Sequence, residues 1–479
     1  MTDAPRQDAT TYYNRSVVRR SCSMRHCFIL SDLHLCEAVP EQGLWLKYRQ
    51  KCHFPDEEFA QLVQEILHQN PQDEKEIVLN GDVFDFDAPV VMRGHVLFDD
   101  QPRDEATAIT RLGQILDDHT VFLRAVGQAL AGGCRVVFIA GNHDAQLVFP
   151  GVQAYLTARV RKEVLAHGVE TEDRCLRQLL FRAWFYNTRD DVHVEHGHQY
   201  DWLCSFRVPT EPFTEEGTSI QPNMGSLTFR HLVTRMGYFN PYVDHSFLLS
   251  LPSYANHWAR YYLFSRHSLV YAWVRGALMT FYTTIRTKSN AYADRIDRMI
   301  AQSTAEYQAS AERMRAHIQL FATPSDEHVF RVVRELRLDR LLMILVGCTA
   351  GIAGWLMYGW RASVVACAVL GMSVLLYEWL APKPSLEEIC TLLDKRLRDV
   401  ADIHRRKAVV FGHTHLPQEM WERGVFYGNS GTWSASFQDV ECRKPVWDGR
   451  PLIWLRSVTG EVVRGGLYYW RHRALVKAK

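Results

Sequence analysis

Five short blocks of this chain set aspartate, asparagine or histidine directly after a run of apolar residues. Asp32 and His34, in SDLHL, follow Cys27-Phe28-Ile29-Leu30. Asp82 and Asp85 follow Ile77-Val78-Leu79 in EIVLNGDVFDFD, and Asn142-His143-Asp144 end RVVFIAGNHD. The stretch DVHVEHGHQYD holds His196 and His198, and KAVVFGHTH holds His413 and His415. One Asp-x-His alone reads as a turn. Five blocks of carboxylate, amide and imidazole donors without a thiolate describe an oxygen/nitrogen metal shell. Such a shell suits Mn²⁺, Fe or Zn²⁺ in a reactive site more than a structural Cys-type zinc site.

The apolar runs read as strands, and the donors stand where the strands end. In α/β sheets, sites assemble beyond the carboxyl ends of strands. The glycines in these blocks permit a tight turn and close backbone approach. Alternation puts Val192, Val194 and His196 on one strand face and His193 on the other, where it is expected to be structural. Asp85 is expected to brace its loop, and Cys36 to be a small core residue.

Composition narrows the class. The chain has 479 residues and is 47% hydrophobic, enough for two or three ordered domains. Lys plus Arg is 55 against 54 for Asp plus Glu, so no overall charge argues for nucleic acid. The 11 cysteines are odd in number and include no C-x-x-C, which points to free thiols in a reducing compartment. Residues 1–23 are polar and are expected to form a flexible arm without a secretory signal.

The sharpest compositional break is at 341–381. LLMILVGCTAGIAGWLMYGW and ASVVACAVLGMSVLLY carry no charge and are separated by Arg361. The first is long enough to cross a hydrocarbon core of about 30 Å, and the second is slightly short. They read as a transmembrane helical hairpin turning near Gly359-Trp360-Arg361, or else as a buried hairpin in a soluble core. Arg331, Arg334, Arg337 and Arg340 precede it and Lys383, Lys395, Arg396 and Arg398 follow it, which puts both flanks in the cytoplasm. Trp355, Trp360 and Trp379 are candidate interface anchors. Gly347 and Gly351 form a G-x-x-x-G that would let two helices approach.

More than two hundred residues separate the fourth and fifth blocks. Residues 238–285 are rich in aromatics, from Tyr238, Phe239 and Tyr242 through Phe247, Tyr254 and Phe264 to Phe281 and Tyr282. Within them, 269–285 is a core helix, an apolar cap over the site, or a helix in a membrane interface. Residues 291–321 read as one amphipathic helix with Ile296, Met299, Ile300, Tyr307 and Met314 along a stripe. Ser385-Leu386-Glu387-Glu388 is a capping-box signature opening a helix to about Arg405. An even number of spans between 200 and 412 is needed for His413 to rejoin Asp32, and two satisfy this.

D-x-H, G-D-x-x-D, G-N-H-D, H-G and G-H-T-H, in that order, resemble the calcineurin-like metallophosphoesterase superfamily over about 24–200 and 405–470. The resemblance implies a two-sheet β-sandwich flanked by helices, here with an α-helical insertion and the two-helix hairpin. The chain then divides into the arm (1–23), a first catalytic part (24–200), an aromatic-rich helical insertion (201–340), the hairpin (341–381) and a second catalytic part (382–479). It also implies two divalent metal ions, most readily Mn²⁺, with Fe or Zn²⁺ as alternatives. Asp32, His34 and His415 match the ligands of one, Asn142, His196 and His413 those of the other, and Asp82 the bridging carboxylate. Histidine directly before glycine matches the family ligand, so His196 is taken over His198, which becomes a supporting or substrate contact. His143 matches the non-ligand histidine that assists chemistry. Asp144 orients His143 or caps the next helix.

The implied activity is phosphoester hydrolysis by a metal-activated hydroxide. The expected protein is an integral membrane one with a cytoplasmic catalytic domain, and membrane lipid and a lipid or lipid-linked phosphate are its expected partners. The short His-Gly block, the aromatic insertion and Gly428-Asn429-Ser430-Gly431-Thr432-Trp433 are similar to the UDP-2,3-diacylglucosamine pyrophosphate hydrolases. Some of that branch carry arginine at the position of His143, and the hairpin is not general to it. A phosphodiesterase, phosphatase or nuclease on a soluble substrate, merely tethered by the hairpin, is the alternative. A membrane scaffold with an inactive phosphatase fold is the non-enzymatic one, and it would show a missing ligand.

Overall fold

The computed structural model describes residues 24–98, 101–169, 172–243, 251–263, 265, 267–286, 292–381, 385–458 and 461–478. The expected N-terminal arm, Phe247, Phe264 and Lys383 lie outside these residues, as do the side chains of Tyr254 and of the capping sequence at 385–388.

All five apolar runs are strands. In chain order the strands are β1 (Arg25–Leu30), β2 (Glu74–Asn80), β3 (Val90–Met92), β4 (His95–Leu97), β5 (Arg135–Ile139), β6 (Leu179–Arg182), β7 (Phe185–Asn187), β8 (Val192–Glu195), β9 (Ala408–Phe411), β10 (Gln418–Glu422), β11 (Val425–Asn429), β12 (Arg450–Val458), β13 (Glu461–Arg471) and β14 (Ala474–Lys477). A seven-stranded sheet runs β14-β13-β12-β1-β2-β5-β6, a five-stranded sheet runs β10-β11-β9-β8-β7, and β3-β4 is a separate hairpin. The strands β1, β2, β5 and β6 are mutually parallel, as are β8 and β9, so their donor-bearing ends point the same way.

Alternation along the strands explains why two sheets stack. Cys27, Ile29, Val78 and Val137 from the large sheet meet Val192, Val194, Ala408, Val410 and Phe426 from the small one. On the outer face of the large sheet, Phe28, Leu30, Ile77, Leu79 and Phe138 pack under helices Asp56–His68, Glu105–Asp118, Thr120–Ala131 and Pro150–Ala166. On the outer face of the small sheet, Val409 and Phe411 pack under Leu393, Leu397 and Val400 of helix Ser385–His404. The result is the expected helix-flanked sandwich, with four layers.

The insertion departs from the sequence reading in one respect. The helix expected over 291–321 is two helices, Ala293–Tyr307 and Ala311–Ile318. Gln308 takes a left-handed φ of 50°, and the Ser310 hydroxyl accepts from Arg313 N at 3.3 Å to cap the second helix. The stripe survives the break: Met299, Ile300, Tyr307 and Met314 all pack with Trp184, Phe185 and Val208.

The hairpin is helix Leu338–Tyr358, a turn at Gly359, and helix Trp360–Leu380. Both helices are long and apolar enough to cross a membrane. Of their most apolar windows, 6% and 0% of residues are buried, so the hairpin is not a core element of the described fold. The two helices pack on each other. A Cβ at Gly347 would lie 2.5 Å from Leu370, and Ser363 Oγ donates to Gly351 O at 2.8 Å. At the open end Arg340 Nε pairs with Glu378 at 2.7 Å and the Tyr377 hydroxyl donates to Asp339 at 2.5 Å.

Helix Leu269–Arg286 has two faces. Ala272, Gly276, Ala277, Thr280 and Thr284 are buried, with Gly276 lying against His231 and Leu232. Val270, Tyr271, Leu278, Met279, Tyr282 and Ile285 are exposed. The small residues permit close packing, and the large apolar ones face outward.

Candidate metal centre at the carboxyl ends of the strands

The loops after β1, β2 and β9 hold their donors in a conformation that ordinary residues avoid. Asp32, His34, Asp82, His413 and His415 have φ of 56°, 49°, 50°, 68° and 58°. Each such non-glycine residue costs about 1–3 kcal/mol and persists only where its surroundings dictate it. The surroundings here are a backbone ladder between loops. Asp32 N donates to Gly81 O and His34 N to Asp82 O, each at 3.0 Å, and Leu35 N to Val83 O at 2.9 Å. Gly412 N donates to His196 O at 2.9 Å, which joins the β9 loop to the β8 loop. Gly141 allows the closest approach: a Cβ there would lie 2.6 Å from Asp82 N and against its carboxylate.

Two donor groups match the expected ligands, and a third, of His34, Asp82 and His143, overlaps both through His34 and Asp82. Asp32, His34 and His415 form one, and Asp82, His196 and His413 another. His415 Nε2 is 3.1 Å from Asp32 Oδ1 and 3.3 Å from His34 Nε2. Asp82 Oδ2 is 3.1 Å from His196 Nε2 and 4.0 Å from His34 Nε2. The buried Asn142 Oδ1 has no hydrogen-bond partner, and neither does His196 Nε2, whose approach to Asp82 lacks hydrogen-bond alignment. An unpaired His196 Nε2 that lies 3.1 Å from Asp82 and 4.0 Å from Asp32 fits a cation held between imidazole and carboxylates. Six of the seven candidate ligands fall in these two groups, and Asn142 precedes His143, whose backbone N donates to Asp82 Oδ1 at 2.7 Å.

Three of the four histidines in the two matching groups are held by the ring nitrogen that faces away. His196 Nδ1 contacts Asn80 O at 2.8 Å and His415 Nδ1 contacts Tyr242 O at 3.0 Å, which leaves each Nε2 for the centre. His413 Nε2 contacts Asp201 Oδ2 at 3.1 Å, which turns Nδ1 inward. Such contacts fix the tautomer and the ring plane of metal-binding histidines. Asp201 and Tyr242 were not singled out as site residues from sequence. Asp201 ends the same block as His196 and could have been noticed there. Tyr242 comes from the insertion, and no local pattern announces it. We expect Asp201→Asn to lower metal affinity or turnover by about 10- to 100-fold with the fold intact, measured by metal titration with circular dichroism as the control.

His143 lies beside these two groups. Its backbone N donates to Asp82 Oδ1 at 2.7 Å, and its Nδ1 is 3.2 Å from Asp85 Oδ1 and 3.5 Å from Asp87 Oδ2. Its ring sits edge-on to His34 at 4.9 Å and to Phe229 at 4.8 Å. Burial opposes a charge on His143, but Asp85, Asp82 and Asp87 outweigh it and lift its pKa to about 10. Burial likewise opposes charge on His196, and Asp82 and Asp32 lift it to about 9. Burial acts against ionisation of Asp82, yet His196 and His143 hold it well below the usual carboxylate range. Against burial, Asp32, Asp82 and Asp85 are thus held below the usual carboxylate range by the histidines around them, whereas burial and the charge of Asp82 raise Asp144 to about 7.

Asp85 does more than brace its loop. Oδ1 accepts from Asp87 N and Ala88 N as well as facing His143, and Oδ2 accepts from the Tyr242 hydroxyl at 2.9 Å. Asp144, in contrast, neither orients His143 nor caps the following turn. Its carboxylate collects the amides of Gly141, Val83, Asp82 and Phe84 at 2.6, 2.8, 3.3 and 3.3 Å, because the loop after β2 folds over it. It thereby shapes the Asp82 loop. His198 is buried, 5.4 Å ring to ring from His196, and stands outside both donor groups. His193 faces away from the centre, as alternation requires, and Cys36 is a buried core residue.

Residues 26–263 match the family described as calcineurin-like phosphoesterase, so the chain carries a domain of that family. The family is one of metal-dependent hydrolases, and the chain is a metal-dependent phosphoester hydrolase. The match begins in β1, takes in four of the five blocks and runs into the insertion. His413 and His415 lie beyond it and reach the site through the pairing of β9 with β8. No curated protein matches the chain.

Proposed function

We propose that the chain is a binuclear phosphoester hydrolase held at the cytoplasmic face of a membrane, acting on a lipid or lipid-linked phosphate or pyrophosphate. The observation that carries this reading is the outward-facing apolar hairpin Leu338–Leu380 in a chain whose other parts hold candidate metal-donor groups. The knot of Arg340, Glu378, Asp339 and Tyr377 ties the two helices at their open end, which suits both flanks lying on one side. The arginines before the hairpin favour the cytoplasm for that side. The exposed apolar face of helix Leu269–Arg286 suits a nearby bilayer.

Asp32, His34 and His415 would hold one cation, Asn142, His196 and His413 the second, and Asp82 both. The oxygen and nitrogen donors suit Mn²⁺, with Fe or Zn²⁺ as alternatives. When bound, two such ions supply Lewis acidity toward a phosphoryl oxygen and a water of lowered pKa. The protein supplies orientation: the left-handed loops aim the donors, and the Asn80 and Tyr242 carbonyls and Asp201 fix the rings. His143 carries a proton that Asp85 and Asp87 stabilise at Nδ1. Its Nε2 proton can pass to the departing oxygen of the ester. None of the proposed ligands is missing, which speaks against an inactive scaffold.

The substrate class is tested by Mn²⁺-dependent hydrolysis with the purified full chain, comparing p-nitrophenyl phosphate, bis-p-nitrophenyl phosphate and UDP-linked diacylglucosamine in vesicles. Faster turnover of the lipid-linked pyrophosphate supports the proposal and its likeness to that branch. Turnover confined to the soluble esters or to a nucleic acid would favour the tethered alternative.

A second expectation concerns the anchor. Replacing 341–380 by a short flexible linker should release the protein from membranes while hydrolysis of the soluble esters continues. Hydrolysis of a vesicle-borne substrate should fall, because tethering raises the local concentration at the surface. An intact protein that washes off membranes in carbonate contradicts the anchor.

A further inference from the structure

The outer face of the five-stranded sheet buries a second group of metal-type donors. His193 and Glu195 point outward from β8, opposite in alternation to the residues leading to His196. They meet His317 from helix Ala311–Ile318 and His404 from the end of helix Ser385–His404. Tyr200 completes the group. All five are buried, at 2% exposure or less. Trp184 and Phe185 wall the group, with ring centroids 4.7 Å from His317 and 4.8 Å from His193.

The hydrogen bonds account for every member but one. His193 Nδ1 contacts Asn187 Oδ1 at 3.0 Å, and Asn187 Nδ2 donates to Tyr307 O, which fixes the amide. His193 therefore carries its proton on Nδ1 and offers a lone pair at Nε2. That Nε2 is buried without a hydrogen-bond partner, 3.8 Å from Glu195 Oε1. Glu195 Oε1 is also 3.4 Å from His317 Nε2 and accepts from the Tyr200 hydroxyl at 2.5 Å. The Tyr200 oxygen lies 2.6 Å from His317 Nε2, and His317 Nδ1 is tied to His404 Nε2 at 3.0 Å. Among the described residues Glu195 has no lysine or arginine partner; the groups that face it are the imidazoles of His193 and His317 and the neutral Tyr200 hydroxyl. A buried carboxylate needs a compensating positive charge.

We propose that His193 Nε2, Glu195 Oε1 and His317 Nε2 form a structural metal site, separate from the catalytic centre, that takes Zn²⁺. The spacings match those of the catalytic centre, where donor atoms stand 3.1–4.0 Å apart. Two imidazoles and a carboxylate suit zinc, and the Tyr200 hydroxyl is the remaining oxygen at hand. A proton shared among the rings would satisfy Glu195 but leave His193 Nε2 unpaired; a cation satisfies both. The second ring nitrogens of both histidines are already held, by Asn187 and by His404, as metal-binding histidines require. The whole group is buried from solvent, so the role proposed for the ion is structural. The ion would join strand β8, the end of the helical insertion and, through His404, the helix that follows the hairpin. The chain leaves the catalytic fold near residue 201 and returns at β9, so such a clamp would fix the return.

The test is metal content per chain of tag-free full-length protein in detergent, purified without chelator and measured by elemental analysis. Wild type should hold three equivalents, one of them zinc that resists brief chelation. His317→Gln should hold one equivalent fewer, keep its hydrolysis of a soluble phosphoester, and melt at a lower temperature. Asp82→Asn, with its catalytic centre disrupted, should keep the zinc, and Asp82→Asn/His317→Gln should lose it. Cobalt in place of zinc should give visible absorption bands in Asp82→Asn and none in the double variant. Two equivalents in wild type, or the same count in each protein with and without His317, overturns the site. Because the wild-type count stands alone, a His317 variant that fails to fold leaves the inference open to refutation. A wild type holding the zinc alone would uphold this site while contradicting the proposed binuclear centre.

Discussion

Asp82→Asn is expected to lower kcat by at least about 10³-fold and to reduce the occupancy of both catalytic metals. The reason is position. Asp82 Oδ2 is 3.1 Å from His196 Nε2 in one donor group and 4.0 Å from His34 Nε2 in the other. A carboxylate that serves both groups neutralises charge between two cations, and asparagine keeps its shape without that charge. Asparagine also keeps an oxygen for the His143 amide, which donates to Asp82 Oδ1 at 2.7 Å. The loop should therefore survive, and melting of the metal-free protein should change little. Normal metal content and turnover in Asp82→Asn would remove Asp82 from the centre.

The second large effect is expected at His143. His143→Ala should retain both catalytic metals and lose rate by roughly 10²-fold or more. Its Nδ1 is committed to Asp85 and Asp87, at 3.2 and 3.5 Å, and those carboxylates favour the protonated ring. If the ring donates a proton to the departing oxygen, the loss should be larger for an alkyl ester than for p-nitrophenyl phosphate, whose leaving group needs less help. Asp85→Asn should show the same ester dependence in weaker form. Metal lost in parallel with activity would make His143 a ligand instead, and an equal loss on both esters would remove its role as the acid.

The parts of the site legible in the sequence were those built locally. Each of the five blocks is a strand, a glycine or tight turn, and a donor, so Asp32, His34, Asp82, Asn142, His196, His413 and His415 could be named before their distances were known. The hairpin was legible because a long uncharged run has few soluble uses, although its first helix begins before and its second ends after the uncharged stretches. Leu338–Arg340 and Glu378–Leu380 extend the two helices, and Arg340 pairs with Glu378 across the open end.

What sequence hid was tertiary. Tyr242 reaches Asp85 and His415 only because the insertion folds back over the first block. Asp144, beside the conspicuous His143, spends its oxygens on backbone amides that a linear reading cannot see. The break between Tyr307 and Ala311 falls at glutamine and alanine, without the glycine or proline that would have announced it. His193 was correctly placed on the face away from His196, but its companions His317 and His404 are more than one hundred residues distant and invisible to spacing.

The most direct test of the proposed centre is the metal dependence of hydrolysis. Full-length protein would be stripped exhaustively of metal, given back one equivalent of Zn²⁺, and titrated with Mn²⁺ while bis-p-nitrophenyl phosphate hydrolysis is followed. The expected result is negligible activity after stripping and a rise with Mn²⁺ that saturates as two further equivalents bind, absent in Asp82→Asn. Hydrolysis that survives stripping, or that rises equally in Asp82→Asn, would contradict a binuclear centre built on Asp82.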